Sequence, residues 1–396
     1  MGRFLLRLFL IFFIAATLVI IFFSSIGLKT DKFDNLIKNK ANTINRYVKL
    51  DFNKTRIYIN PRELNLIVKL QNPKILVKQN KIVLSKLDLF LPLKSFFTSD
   101  FLLKRAEIAF IENDIKDLTK ITNIFLPRII NKQLNKVFLK GKLKGEFSIP
   151  FNSDGSIGED YGFTGKISNA YINITKKLPI KNLTAEINHK KDSNKDLLVS
   201  KITKGLIYDL EIDDSEINLE RENDEFKVTS LLRTKGKFDF PKIKKISSLF
   251  NLEIKNLKDI KGSADLKTKI NFNLDKRFRF KNLNYATDGN INYFEIHTDE
   301  KNLIKEYLPD YNSKIIIKDA KIKFFNSNRN NTLELDGLLK LKDFFDNIKI
   351  KQIYNFDKKN IELLGVIDLT NSKVNFLKLN YFKKEGIKSE INFNVN

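Results

Sequence analysis

From Val137 to Ile149 the chain alternates without a break, with Val137, Leu139, Gly141, Leu143, Gly145, Phe147 and Ile149 on one side and Lys140, Lys142, Lys144, Glu146 and Ser148 on the other. Successive side chains of a strand point to opposite faces, so this pattern predicts a long strand with one apolar face and one wet face. The apolar face has to be covered by helices, packed as a sandwich, closed as a barrel, or left as a trough for an apolar ligand. The same alternation returns in Leu206, Tyr208, Leu210 and Ile212, and in Phe226, Val228, Leu232 and Phe238. Shorter β-branched or alternating segments around Ile57 to Ile59, Leu64 to Leu70, Ile75 to Val77 and Ile82 to Leu91 are parted by Asn-Pro, Gln-Asn and Leu-Pro breaks and also read as strands. Asn152 to Gly155 and Glu222 to Asp224 read as turns.

Helical periodicity is confined to a few places. Leu8 to Phe23 is uncharged and nearly all Leu, Ile, Phe and Val, and residues 24–28 extend it without charge. Roughly 20 such residues at about 1.5 Å rise match a hydrocarbon core, which predicts a transmembrane anchor. Arg3 and Arg7 before it leave the N-terminus in the cytoplasm and carry everything after Lys29 across, although Lys29 and Lys32 pull the other way. A cleaved signal peptide fits less well, because the apolar run is long and no A-x-A site follows it. Phe33, Leu36, Ile37, Ile44, Tyr47 and Val48 predict an amphipathic helix. Asp114 is placed to cap a helix carrying Ile115, Leu118 and Phe125, which Pro127 interrupts before a continuation to about Asn135. Ile243, Ile246, Leu249 and Phe250 after Pro241 form another short helical stretch.

Chemistry is hard to find. There is no cysteine, which removes disulfides, thiolate metal sites and cysteine nucleophiles. The formal charge of +24 suggests nucleic acid, but Arg supplies only 12 of the 71 cations, and Lys spread along strands is a poor bidentate reader of phosphate or bases. Nucleic-acid binding is therefore not expected. His189 and His297 stand far apart outside any metal-ligand spacing and read as solvated. The acidic run Asp209, Glu211, Asp213, Asp214 and Glu216 lacks the glycine and spacing of a calcium loop and reads as a solvated strand edge. Phosphate loops, nucleophile elbows and paired carboxylates in a recognisable frame are absent, so no catalytic residue, metal or cofactor is expected.

Two echoes suggest internal repetition. Leu139 to Asp154 overlays Ile260 to Asp275 without a gap, and Gly165-Lys-Ile167 with Asn169 to Ile174 is echoed by Gly365-Val-Ile367 with Asn371 to Phe376. As repeats, they would be stacked sheet segments. The helical segments are too few to cover so many strands, which leaves a sandwich or a curled groove. Candidate groove-lining residues are Leu139, Leu143, Phe147, Ile149, Leu206, Tyr208 and Leu210.

In its order of features the chain resembles the AsmA-like proteins of bacterial envelopes, the superfamily that also holds TamB and YhdP. The resemblance rests on Arg3 to Val48, on Asn65 to Leu70 with the Asn72-Pro-Lys-Ile75 step, on Ile82 to Phe96, on Phe101 to Ile108, and on the later Gly-x-Ile strands. It implies a mainly β protein: an N-terminal transmembrane helix, then a repetitive antiparallel β region, groove-like or sandwich-like, with a few short helices. The expected division is a tail and anchor over 1–28, an amphipathic helix over 29–50, an N-terminal β segment with a helix over 51–135, and a repetitive β region over 136–396. What the resemblance implies for function is a single-pass inner-membrane protein, its bulk periplasmic, binding or guiding phospholipid through a passive apolar groove in support of outer-membrane biogenesis. The alternative is an envelope scaffold that binds another protein through a sheet edge and carries no lipid. The sequence ends inside the alternating segment Ile391 to Val395, as expected of a fragment or of a small member whose open edge pairs with a partner.

Overall fold

A computed structural model of the chain describes residues 2–44, 48–77, 80–96, 102–119, 128–175, 178–192, 195–222, 225–249, 258–276, 279–297, 314–327, 330–340, 344–376 and 379–395. Tyr47, Phe101, Phe125, Pro127, Asn223, Asp224 and Phe250, named above, lie outside them. The protein is mainly β and antiparallel, with few short helices besides the N-terminal one. It divides into two compact units, Met1–Ala170 with Glu186–Leu198, and Tyr171–Ala185 with Val199–Asn396.

The first unit opens with α1 (Gly2–Ser25). Among the described residues no helix is long and apolar enough to cross a membrane. Six strands then lie side by side: β1 (Leu28–Thr30), β3 (Thr55–Asn60), β4 (Asn65–Leu70), β6 (Asn80–Pro92), β7 (Arg105–Asp114) and β8 (Phe138–Pro150). A smaller pair, β2 (Val48–Asp51) and β5 (Lys74–Val77), joins the start of β6. Their register sets Ile57 opposite Val68, Val68 opposite Leu89, Leu89 opposite Ala106 and Ala106 opposite Ile149, so one face is apolar across five strands. That face is closed. The helix α2 (Asp34–Ile44) brings Phe33 and Ile37 onto it, and Val68 and Leu91 lose all exposure. The Thr55 hydroxyl, donating to Asp34 Oδ1 at 2.8 Å, ties α2 to the strand beneath.

Two expectations are corrected here. Residues 29–50 are not one helix, because Lys29 and Thr30 belong to β1 and Val48 to Asp51 form β2, paired with Lys74 to Val77. A β-branched residue fits either pattern, and strand pairing satisfies backbone groups that a short isolated helix would leave to water. Likewise Leu206, Tyr208, Leu210 and Ile212 are not one strand. The strand β11 (Asp196–Ile207) ends, and β12 (Leu210–Glu222) begins, around Tyr208 and Asp209, with φ of 50° and 67°. Positive φ at both central residues is the two-residue hairpin turn whose twist matches its strands, normally announced by Asn-Gly.

The second unit is a longer ladder. After β12 come β13 (Glu225–Asp239), β14 (Lys258–Leu274), β15 (Phe280–His297), β16 (Lys314–Asn326), β17 (Asn330–Lys340), β18 (Phe345–Asn355) and β19 (Asn360–Asp368), each antiparallel to the next, with β22 (Glu390–Val395) beside β19. Register shifts mark three of these pairs at Asp214, Asp259 and Asp319, each with φ between 36° and 50°. Asp tolerates the left-handed region because its short side chain bonds locally, and such a bulge bends a strand and raises its twist. The residue after each bulge, Ser215, Ile260 or Ala320, is buried. Beside Ala320 lies Gly337, where an added Cβ would sit 2.3 Å from the Ala320 Cβ. Gly141 and Ala170 repeat the arrangement at 2.7 Å in the first unit, where Asn169 has φ of 49°.

The two units should respond differently to truncation. Leu91→Ala, in the closed core, is expected to cost about 2–5 kcal/mol. Ile322→Ala, on the half-buried face of the second unit, should cost less, about 1 kcal/mol, since part of its surface already meets solvent. Urea unfolding followed separately for each variant measures both; equal costs would contradict the burial difference.

Candidate functional site

The register of the second unit can be followed straight across it. Ile212, Thr234, Leu266, Gly289, Ile322, Leu335, Ile350, Gly365 and Phe393 stand opposite one another in turn through nine strands, without a charge. A second row runs Phe238, Gly262, Phe294, Ile317 and Leu339. Ile212, Ile317 and Leu339 are buried, whereas Leu266, Ile322, Leu335, Ile350 and Phe393 are only half-buried. Among the described residues little lies over this face. The helix Phe240–Leu249 packs on β13 and β14, its first turn capped by Asp239, whose Oδ1 accepts from the Lys242 amide at 3.0 Å. The segment after β19 plugs one end. There Asp346 Oδ1 accepts from the Asn371 amide at 3.1 Å, and the Lys383 ammonium, 1 % exposed, donates to the carbonyls of Thr370, Lys384 and Ile387 at 3.0–3.2 Å.

The opposite face carries the charge. One row reads Asp213, Arg233, Lys267, Asp288, Lys323, Glu334, Lys351, and the neighbouring one Glu211, Lys235, Asp265, Asn290, Lys321, Asp336, Lys349. Unlike charges mostly face each other, with Lys351 to Glu334 at 3.1 Å and Lys349 to Asp336 at 3.3 Å. A depression of about 580 Å³ across β16 to β19 and β22 is lined largely by this charged face, with Lys321, Lys323, Glu334, Asp336, Lys349 and Lys351 among its residues.

One titratable cluster on the charged face was not foreseen. The Glu295 side chain is 2 % exposed, with Lys314 at 3.0 Å, Lys261 at 3.1 Å and His297 Nε2 at 2.9 Å. The Tyr293 hydroxyl donates to the same carboxylate. Burial opposes ionisation of Glu295, but hydrogen bonds from Tyr293, Lys314, His297 and Lys261 outweigh it and hold its pKa down at about 2. Its hydrogen bond to Glu295, then burial, pushes the Tyr293 phenol up to about 12. His297 and His189 are thus partnered rather than freely solvated, the latter with Asp196 at 2.8 Å. The only sequence signal was a Tyr-x-Glu-x-His alternation, which places three polar groups on one face without naming the lysines across the ladder.

The sequence-derived lining residues divide between the units. Leu139, Leu143, Phe147 and Ile149 share one face of β8 in the first. Leu143 packs against the closed core, and Phe147 is 38 % exposed with its ring 4.5 Å from that of Phe163. In the second unit, Leu210 lies on the apolar face beside Gly236, Tyr208 is in the turn with Lys245 Nζ 5.8 Å from its ring centre, and Leu206 is on the preceding strand. Of the acidic run, Glu211 and Asp213 face Lys235 and Arg233. Among the described residues no three His, Cys, Asp or Glu gather to hold a metal ion.

Because Glu295 is ionised well below the usual 4.5, its contribution to stability is complete above about pH 4.5 and is lost as pH falls toward 2. Thermal unfolding between pH 7 and 2 should show the Glu295→Gln variant converging on the unmodified protein at the acid end of that window; parallel curves throughout would remove the cluster from the account.

No protein-family model, curated protein or solved structure matches this chain, and its use has to be argued from its two faces.

Proposed function

We propose that this is a membrane-anchored envelope protein whose second unit holds phospholipid acyl chains on its apolar face and so guides lipid toward the outer membrane. The observation that carries the reading is the nine-strand uncharged row, half-buried over much of its length, backed by a face of paired charges. A one-sided sheet of this kind offers tails a dry surface while head groups stay in water. The anchor is argued from α1, where Phe9, Ile11, Phe12 and Phe13 are 61–70 % exposed, an arrangement suited to hydrocarbon. The inner membrane, the periplasm and the outer-membrane destination come from the AsmA-like resemblance. The mechanism is passive and assigns no bond chemistry to any residue.

One observation favours the scaffold reading. Among the described residues β22 has a single neighbour, β19, and Val395 is 56 % exposed, so this edge is available to another protein's strand.

The two readings part under native mass spectrometry of the detergent-extracted full chain. Lipid guidance predicts co-purifying phospholipid that falls about tenfold when Leu266 and Ile322 are both changed to Asp, since a charge in an apolar site costs more than 1.4 kcal/mol. A Lys323→Asp variant on the other face should keep its lipid, and circular dichroism shows whether each variant retains its strands. Lipid-free protein, or lipid indifferent to the apolar-face pair, would shift the assignment to the scaffold.

A further inference from the structure

The junction between α1 and the first sheet carries a charge pattern that the groove does not use. Lys29, on β1, stands directly opposite Arg56 on β3, and Arg56 directly opposite Lys69 on β4. Side chains so paired have Cβ atoms about 5 Å apart, and like charges at that spacing destabilise a sheet unless something offsets them. Elsewhere the charged rows mostly pair unlike charges across strands, and like pairs such as Arg233 with Lys267 stand between anions, whereas here three cations follow one another.

Further along the same row, Asp88 stands directly opposite Lys69 and Glu107 beyond it, so Lys69 has an anion on its far side while Lys29 and Arg56 have none. Glu107 is 2.6 Å from Lys86, and Asp88 lies 3.9 Å from Lys86 and 4.0 Å from Lys69. Neither Lys29 nor Arg56 has an ion pair among the described residues. Arg56 Nε is buried without a hydrogen-bond partner, and its Nη1 donates only to the Tyr58 hydroxyl, at a long 3.4 Å. Lys69 Nζ sits 4.8 Å from the centre of the Tyr58 ring. Arg56, with its orphaned guanidinium nitrogen, therefore lies between Lys29 and Lys69 in the register, and the Tyr58 phenol is shared between Arg56 and Lys69.

Their position relative to α1 is fixed. Two residues past the end of the helix, Gly27 has φ of 69°, and an added Cβ there would meet the Ile57 carbonyl at 2.8 Å, the Tyr58 ring at 2.9 Å and Arg56 Cγ at 3.1 Å. No side chain fits, so the helix passes into β1 through a rigid contact with the residues of the cluster. Lys29 is also the first charge after the apolar run that begins at Leu8. In a membrane-anchored chain, that is the level of the lipid phosphates.

We propose that Lys29, Arg56, Lys69 and Tyr58 form a binding site for the phosphate of a net-anionic phospholipid headgroup in the leaflet from which α1 emerges. Arg56 supplies the fork of donors suited to phosphate oxygens, the two lysines neutralise the charge, and the Tyr58 hydroxyl is a further donor. The bound lipid relieves the repulsion among the cations and holds the base of the sheet against the membrane. The proposal rests on the membrane-anchor reading and not on the groove.

The test uses the full chain in nanodiscs of phosphatidylethanolamine with a minority of phosphatidylglycerol, followed by native mass spectrometry of the lipids that remain bound. The expected result is roughly fivefold or greater enrichment of phosphatidylglycerol over its bulk share. The triple variant Lys29→Gln, Arg56→Gln, Lys69→Gln should return to the bulk ratio, with Arg56→Lys intermediate and circular dichroism unchanged. Insertion without enrichment, or enrichment that the triple variant keeps, overturns this site and leaves the anchor standing. Failure to enter nanodiscs overturns the anchor and this site together. Loss of the enrichment in excess inorganic phosphate would show a site for the free anion rather than for lipid.

Discussion

Everything in the second unit depends on cross-strand register. A sheet with a packed layer on each side has its alignment enforced by the core, but here, among the described residues, little covers the apolar face, so the pairs across the ladder must supply the alignment themselves. They do so from both sides. Moving one strand by one residue would set Leu335 among the lysines of the charged face and bring Glu334 and Asp336 onto the apolar one. The alternating charges add to this, because a two-residue slip preserves the faces yet shifts each ion pair along its strand. Single exposed pairs such as Lys351 with Glu334 are worth little, and their value lies in repetition across neighbouring strands.

The bulges follow from the same constraint. Strands as long as β14 and β15, at 17 and 18 residues, extend about 55–60 Å, and a sheet of such strands must twist and bend. Asp214, Asp259 and Asp319 provide bending points without glycine's entropic cost, and each sends the next residue inward to a buried position. Where that residue is Ala320, the opposing chain has Gly337, because the two backbones come too close for a second side chain. The glycines that marked the sequence echoes therefore have a packing reason, seen again where the Phe238 ring lies over Gly262 and that of Phe393 over Gly365.

This also explains what the sequence could and could not disclose. Strand identity and facing were legible, since Leu139 to Ile149 and Phe226 to Phe238 lie where period two places them. The turn at Tyr208 was not, because a tyrosine with positive φ carries no local signature, and the alternation runs through it in phase. The bulges were hidden because an Asp on a wet face looks like any other solvated residue until its backbone is known. The candidate site was legible only one strand at a time. That Ile212 and Phe393 belong to one uncharged row follows from eight successive pairings, and that Lys29, Arg56 and Lys69 adjoin follows from two more, none of which leaves a trace in local pattern.

The same alternation ends in two physical states. In the first unit, α2 and the residues beside it close over the sheet, and Val68, Leu91 and Ile57 are as dry as any globular core. In the second, a buried cluster around Ile291, Ile317, Leu339 and Ile348 is flanked by residues of the same kind that remain half-buried, because no covering layer of that size follows them in the described chain. Period two specifies which face needs cover and is silent about what provides it. The energetic consequence is asymmetric: the first unit carries its full hydrophobic stabilisation within itself, while the second leaves part of its own unrealised at every half-buried position. A ligand that completes the burial adds stability in proportion to its occupancy. An acyl chain can do this at any point along an uncharged row, and, since no position offers it a distinctive polar partner, leaving one point for the next costs little.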